Sequence, residues 1–525
     1  MKFRSHKALA IAAAALFVVV SGCTDTVVQP KSTITSANVF NDPNSYQAFL
    51  AKLYAGLAVS GQQGPAGQPD IQGIDEGFSQ YLRLYWEAEE LPTDEAAIAW
   101  GDIGLPEMNT QLWAASNSFV VAMYYRIYFQ VGMVNEFLRQ TDDAALAGRN
   151  VTPELKAQIG QYRAEARFLR ALSYWHGIDL FGNIPLVTEN DPLGATPPQQ
   201  STRTDIYNYI VGELKAIKDS LPEPGPSTYG RATRPAASML LAELYLNAGV
   251  YTGTADYADA LTAAQDVINS NAYQLDPNYR HMFMADNNTS PEIIFAIPQD
   301  GLKTQTYGGV NFLVHAECGG NMNNADYGID GCWWGIRLKP EAYNFYSAGD
   351  QRASYFYTNG QSLDVTSISN FQAGIAAPKF TNKTSTGATG SNPAFVDTDF
   401  PMFRLADAYL IYAEAALRGG GGSRAQALAY VNALRERAYG GTSGDITDAQ
   451  LTLPFILAER GRELLWEAHR RTDLVRFGEF TGGTYVWSWK GGTEAGTATE
   501  AFRNLYPLPE SELVANPNLK QNPGY

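Results

Sequence analysis

Histidine and cysteine are scarce: the chain has five histidines and three cysteines in 525 residues. His6, His176, His281, His315 and His469 are scattered, with none paired at ligand spacing, so neither a metal nor a cofactor is expected. Positive charge is also short. Thirty-eight Lys and Arg face 54 Asp and Glu, a net charge of −16, which argues against a nucleic-acid partner because phosphate binding needs a positive face. The glycine run Gly419 to Gly422 lacks the Lys-Ser/Thr of a phosphate loop, and no Gly-x-Ser-x-Gly elbow occurs. After Cys23 no segment is apolar for long enough to cross a bilayer, which takes about 20 residues.

The one long apolar run, Ala8 to Val20, follows Lys2, Arg4 and Lys7 and leads into Val20-Ser21-Gly22-Cys23. Basic start, apolar middle and small residues before a cysteine read as a bacterial lipoprotein signal over residues 1–22, cleaved so that Cys23 carries lipid. Two or three acyl chains, at about 0.8 kcal/mol per buried methylene, would then hold the chain on a membrane. Residues 23–35 are polar and aperiodic, a tether. Removal of the signal takes the formal charge from −16 to −19, since it carries three basic residues and no acid.

What remains, 36–525, reads as a single mainly α domain. Arg163 to Phe181 sets Phe168, Leu172 and Trp175 on one stripe with Arg163, Arg167 and Arg170 elsewhere, and similar patterns recur at Ser118 to Arg139, Asp205 to Ser220, Ala236 to Ala248, Tyr257 to Ser270, Phe403 to Leu417, Arg424 to Arg437 and Phe455 to Arg470. Two pairs resemble each other: Leu241-Ala242-Glu243-Leu244-Tyr245-Leu246 matches Leu405-Ala406-Asp407-Ala408-Tyr409-Leu410, and Ala258-x-Ala260-Leu261 matches Ala425-x-Ala427-Leu428. This pattern predicts stacked tetratricopeptide-like helical hairpins. Long stretches rich in Gly, Asn, Ser, Thr and Pro interrupt them, above all across about 280–400, with short strand-like pieces. Irregular loops of that length are uncommon unless they bind something, so these form the expected ligand face.

Aromatics in the loops are the leading site candidates. Trp333 and Trp334 follow a Gly, Asn and Asp-rich stretch, with Tyr327, Asn323, Asp326 and Arg337 nearby; Trp86 and Trp100 lie around Asp94. A flat ring offers a platform to the apolar face of a sugar, while Asn, Asp and Arg satisfy its hydroxyls. The competing reading is that these tryptophans fill cores. Cys318 and Cys332 are a candidate disulfide or two separate buried thiols. The acidic run Glu87, Glu89, Glu90, Asp94, Glu95 holds more carboxylates than a glycosidase needs. The charged helix Glu459 to Glu467 is expected to be a structural network, with Glu459 facing Arg462 and Glu467 facing Arg470 or Arg471.

Glu165-Ala166-Arg167-Phe168-Leu169-Arg170-Ala171, followed by Leu180-Phe181-Gly182-Asn183-Ile184-Pro185-Leu186-Val187, resembles the signature of the SusD/RagB family of outer-membrane lipoproteins. Gly230-Arg231-Ala232-Thr233, Arg404 to Ala415, Glu459-Arg460-Gly461-Arg462-Glu463-Leu464, Arg471 to Arg476 and the ending Asn516 to Tyr525 agree in the family's order. The resemblance implies a non-enzymatic lipoprotein on the cell exterior. It would bind a glycan and pass it to a SusC-like, TonB-dependent outer-membrane transporter as the lid of that barrel. Peptide cargo, a surface glycoside hydrolase and a pure assembly scaffold are the alternatives. Ligand positions do not transfer with these motifs, and Cys318 and Cys332 are not part of the pattern.

Overall fold

Cap residues ahead of a first-turn proline open several of the helices. In the computed structural model, which describes residues 39–192, 194 and 196–525, Thr152 accepts from the Leu155 amide ahead of Pro153, and Thr233 accepts from Ala236 ahead of Pro235. The signal segment 1–22, Cys23 and the tether 23–35 lie outside the described residues. Residues up to Tyr46 group apart from Gln47–Tyr525, and the second unit carries the account below. Among the described residues no helix is long and apolar enough to cross a membrane.

The fold is mainly α. Helix α1 (Tyr81–Glu90) is followed by α2 (Ser118–Gln140), α3 (Pro153–Phe181), α4 (Arg203–Ile217), α5 (Arg234–Leu246) and α6 (Tyr257–Asn269). After a loop-rich stretch containing α7 (Gly309–Ala316) come α8 (Leu405–Leu417), α9 (Arg424–Tyr439), α10 (Leu453–Glu463) and α11 (Arg470–Phe477). Successive helices pack as hairpins: α2 on α3, α3 on α4, α5 on α6, α8 on α9. The two matched sequence repeats are the hairpins α5–α6 and α8–α9, and they stack through α6 against α8. Buried Ala260, Ala264 and Ala427 keep the helices close. The Gly419–Gly422 run is the tight turn between α8 and α9. A Cβ on Gly420 would lie 2.4 Å from the Tyr257 carbonyl oxygen, and Gly422, at φ +73°, leaves no room beside Leu261 and Tyr412. The helical core is therefore a stack of tetratricopeptide-like hairpins.

Arg170, off the apolar stripe of α3, is nonetheless buried, 2.9 Å from Glu213 and also bound to Glu189 and Asn135, because neighbouring segments bring acceptors to it. One expectation needs correction. The pattern at Phe455 to Arg470 is not one helix. It breaks after Glu463, where Trp466 and Ala468 take positive φ, and the Glu90 carboxylate accepts from the freed Ala468 amide at 2.7 Å and the His469 amide at 3.3 Å.

Two small antiparallel sheets fasten the loop-rich stretch to the helices. Strand β1 (Ala96–Ile98) pairs with β3 (Ile336–Leu338) in the register Ala96↔Leu338 and Ile98↔Ile336. Strand β2 (Ile293–Ile297) pairs with β4 (Phe400–Arg404), which runs directly into α8.

The charged segments are internal. Arg404 contacts Glu292 at 2.8 Å, Glu463 at 2.7 Å and Glu467 at 2.6 Å, and all four side chains are buried. Arg352 joins Asp350, Glu459 and Glu463 at 2.8–2.9 Å, and Arg460 joins Asp407 and Asp473. Glu459 does pair with Arg462, at 2.7 Å. Glu467, however, binds Lys379 and Arg404 rather than Arg470 or Arg471, which turn to Asp94 and to Asp179 with Glu89. Tertiary neighbours outcompeted helical spacing because burial demands a close partner for each charge.

Candidate functional site

The β1–β3 ladder decides which aromatics meet. Ala99 donates to the Gly335 carbonyl at 2.9 Å, one step beyond the last strand pair, so Trp100 and Trp333 end on the same rim. The Trp100 indole N–H donates to the Trp333 carbonyl at 2.9 Å, and the two rings stand 6.4 Å apart. Gly335 makes this possible, since a Cβ there would sit 2.9 Å from the Trp100 ring and 3.0 Å from Ala316 Cβ.

Residues 333–335 are held by buried backbone carbonyls at and just beyond the end of α7. The Trp333 amide donates to His315 at 2.8 Å, the Trp334 amide to Cys318 at 2.9 Å and the Gly335 amide to Ala316 at 2.9 Å. Cys318 and Cys332 are joined as a disulfide that closes the intervening loop onto this end of α7. His315 stacks under Trp333 at 4.5 Å. Its Nδ1–H donates to the Asn311 carbonyl at 2.9 Å, and burial holds its pKa below the usual imidazole value.

Tyr307 extends the platform, 6.3 Å from Trp333, and Phe395 follows at 5.5 Å from Tyr307. Glu76 positions Tyr307 by accepting its amide at 3.2 Å and the Thr306 hydroxyl at 2.8 Å. The result is an arc of four rings, Trp100–Trp333–Tyr307–Phe395, all partly open to solvent, with Tyr307 41% exposed. Exposed carboxylates at Asp102 and Asp330 flank it. Beneath Trp100, the buried Arg83 guanidinium lies 5.4 Å from its ring and 4.0 Å from Phe312, and it is paired with Glu87 at 2.9 Å. Burial pushes the Glu87 carboxyl up to about 7 although Arg83 opposes it.

The structure divides the predicted candidates. Trp100 and Trp333 belong to the arc. Trp334 does not share it: 49% exposed at φ +57°, it faces Phe371 at 5.9 Å. Asn323, Asp326 and Tyr327 lie on a short turn whose Tyr327 carbonyl accepts from Asn382, and among the described residues no hydrogen bond or ring contact joins them to the arc.

Three candidates are corrected because they are buried. Trp86, wholly inside, donates to the Trp466 carbonyl and packs 5.8 Å from Phe312, so it underlies the arc without reaching a ligand. Asp94 is bound by two of the three Arg470 nitrogens at 2.6–2.7 Å and by Tyr485. Arg337 is spent on backbone carbonyls of Ala373, Ser367 and Ile368. Tyr307, Phe395, Arg83 and Asp330 were not singled out by sequence, where nothing distinguishes one loop aromatic from another.

Comparison with known proteins places this architecture. Residues 339–525 match the family model described as the SusD family, and residues 85–246 match one described as starch-binding, associating with the outer membrane. The starch-binding protein SusD of Bacteroides thetaiotaomicron is 36% identical over 91% of this chain and 92% of its own length. A SusD-like protein, P2, of Formosa agariphila is 26% identical over 97% of this chain and 98% of its own. Among solved structures, the surface glycan-binding protein A of Bacteroides thetaiotaomicron in complex with laminarihexaose aligns with a TM-score of 0.69 at 21% identity, over 91% of this chain and 98% of that one. With the 36% relative spanning nearly its whole length and these motifs in order, the chain belongs to the SusD family.

Proposed function

We propose that this protein binds neutral glycan of the α-glucan type on the Trp100–Trp333–Tyr307–Phe395 arc and does not hydrolyse it. The observation that carries the reading is the arc: partly exposed rings 5.5–6.4 Å apart, tilted to one another, with open carboxylates at its edge. Successive sugar rings stack on such surfaces while their hydroxyls donate to Asp102 and Asp330. A chain of net charge −16 suits an uncharged ligand better than an anionic one. The starch-binding relative supports an α-glucan as the first ligand to test. Binding without hydrolysis is favoured because the starch-binding relative and the glycan-binding structure are described as binders, and because carboxylates such as Asp94 and Glu292 are held in buried arginine pairs.

In this reading the chain sits outside the cell on the outer membrane, lipidated at Cys23, as a lid over a TonB-dependent transporter. The tether would hold the lid near the barrel, raising their effective concentration for one another. Calorimetry with maltooligosaccharides tests the site: a Trp100→Ala, Trp333→Ala double variant that binds like the wild type removes the arc from the account. Cys23→Ser should release the chain from membranes, and detergent extraction of the wild type should bring a large barrel protein with it.

A further inference from the structure

A second cleft, outside the arc, has no role in the reading above. It has two lobes, of about 470 Å³ and about 580 Å³, which meet at Tyr229 and Asn288. The first lobe is walled by Gln299, Asp300, Asp397 and Asp399; Pro224, Pro226 and Tyr273 wall the second.

The lining restricts what can enter. No Lys, Arg or His lines either lobe, and Lys303 beside the first is paired with Asp300 at 3.0 Å, so the lining disfavours phosphate, sulfate and uronate groups. The carboxylates do not form a cation cage either, because their oxygens are committed to separate donors. Asp399 takes the Gln299 amide at 2.7 Å and the Tyr229 hydroxyl at 2.6 Å, while Asp397 takes the Gly301 amide and the Ser391 hydroxyl, both at 2.7 Å. Each oxygen keeps capacity for a further donor, so hydroxyl groups fit. Gln299 supplies the complementary signal. It is 7% exposed, and its side-chain nitrogen has no hydrogen-bond partner among the described residues. Asn288, exposed at the junction of the lobes, offers both donor and acceptor.

The cleft and the arc are carried by the same two loops. The loop that carries Tyr307 also carries Gln299 and Asp300, and the loop that carries Phe395 also carries Asp397 and Asp399. The two loops are tied together by the Gly301 amide on Asp397 and by Asn392 donating to the Gly301 carbonyl at 3.2 Å. Phe395 and Asp397 are two residues apart, which limits their separation to about 7 Å, less than two sugar units.

We infer that the Tyr229 cleft is an extension subsite for neutral, hydroxyl-rich sugar units of the same chain that lies on the arc. The inference rests on the glycan reading of the arc, and it means that long oligosaccharides bind more tightly than short ones. Calorimetry with maltotriose and maltodecaose tests it on the wild type and two cleft variants. Asn288→Trp fills the junction from an exposed position, and Gln299→Ala removes the unpartnered donor. The wild type should prefer maltodecaose by about tenfold or more, because linked sites add to one another without any new contact. Both variants should lose most of that preference while maltotriose affinity stays unchanged. Equal affinity of the wild type for the two sugars, or wild-type maltodecaose affinity in both variants, would overturn the subsite. The Trp100→Ala, Trp333→Ala variant separates the two ideas: if it still binds both sugars, the arc reading is what fails.

Discussion

Gly335→Ala tests how the arc is built without deleting any group that would meet the ligand. Gly335 is absent from the positive-φ residues, so its backbone tolerates alanine. The added methyl would lie 2.9 Å from the edge of the Trp100 ring and 3.0 Å from Ala316 Cβ, where ordinary contact begins at 3.4 Å. Something must move by about half an ångström, and overpacking of this kind costs about 1–3 kcal/mol when the neighbours are fixed. Ala316 is fixed inside α7, but Trp100 is open to solvent on one side, so the ring swings out. That breaks its 2.9 Å bond to the Trp333 carbonyl and removes one platform from the arc. Loss of one aromatic contact at about 1–2 kcal/mol corresponds to roughly 5- to 30-fold in Kd, with little change in stability. Calorimetry with maltooligosaccharides and a thermal melt on the same sample measure both. A folded Gly335→Ala protein with the wild-type Kd would refute the claim that the Trp100–Trp333 spacing matters.

The buried ion network should respond to a single charge. Arg404→Met leaves Glu292, Glu463 and Glu467 short of a partner, which costs about 3–5 kcal/mol; at about 2 cal/mol/K per residue, a chain of this length loses roughly 3–5 °C in Tm, visible by calorimetry. Stability should fall as pH rises from 5 to 9, because burial raises Glu87 to about 7 and Glu89 and Glu95 to about 8. A carboxyl raised above its unfolded value stabilises fully below that value, and the contribution is lost through its folded pKa. A Tm that climbs over this range would contradict the assignment, and Glu87→Gln should flatten the decline. Glu459, held at about 2 mainly by Arg352 against its burial, works in the opposite sense: its contribution disappears as pH falls from about 4 towards 2. Cys318→Ser with Cys332→Ser frees a loop of about 15 residues, worth about 3 kcal/mol of constraint. Limited proteolysis should then cut within residues 319–331, and glycan affinity should drop several-fold as Trp333 loosens.

Much of the scaffold was readable because helix and repeat are local patterns. Alanine spacing and the Leu241 and Leu405 matches name the two hairpins that stack through α6 and α8. Where the reading failed, a distant partner decided the outcome. The helix from Phe455 was drawn too long because Glu90, far away in sequence, captures the amides at Ala468 and His469. Arg337 and Asp94 have the chemistry of ligand groups, yet both are spent inside, on carbonyls and on Arg470.

By itself the sequence determined the helical-repeat architecture and the irregular stretch that carries most of the rim, since composition and periodicity follow the chain. Only the tertiary structure decided which aromatics face the same way. Trp333 and Trp334 are adjacent in the chain, but only Trp333 meets Trp100, because the β1–β3 register and the bare Cα of Gly335 bring together residues more than 200 positions apart. Strand pairing is a non-local contact, and no periodicity in either strand records its partner.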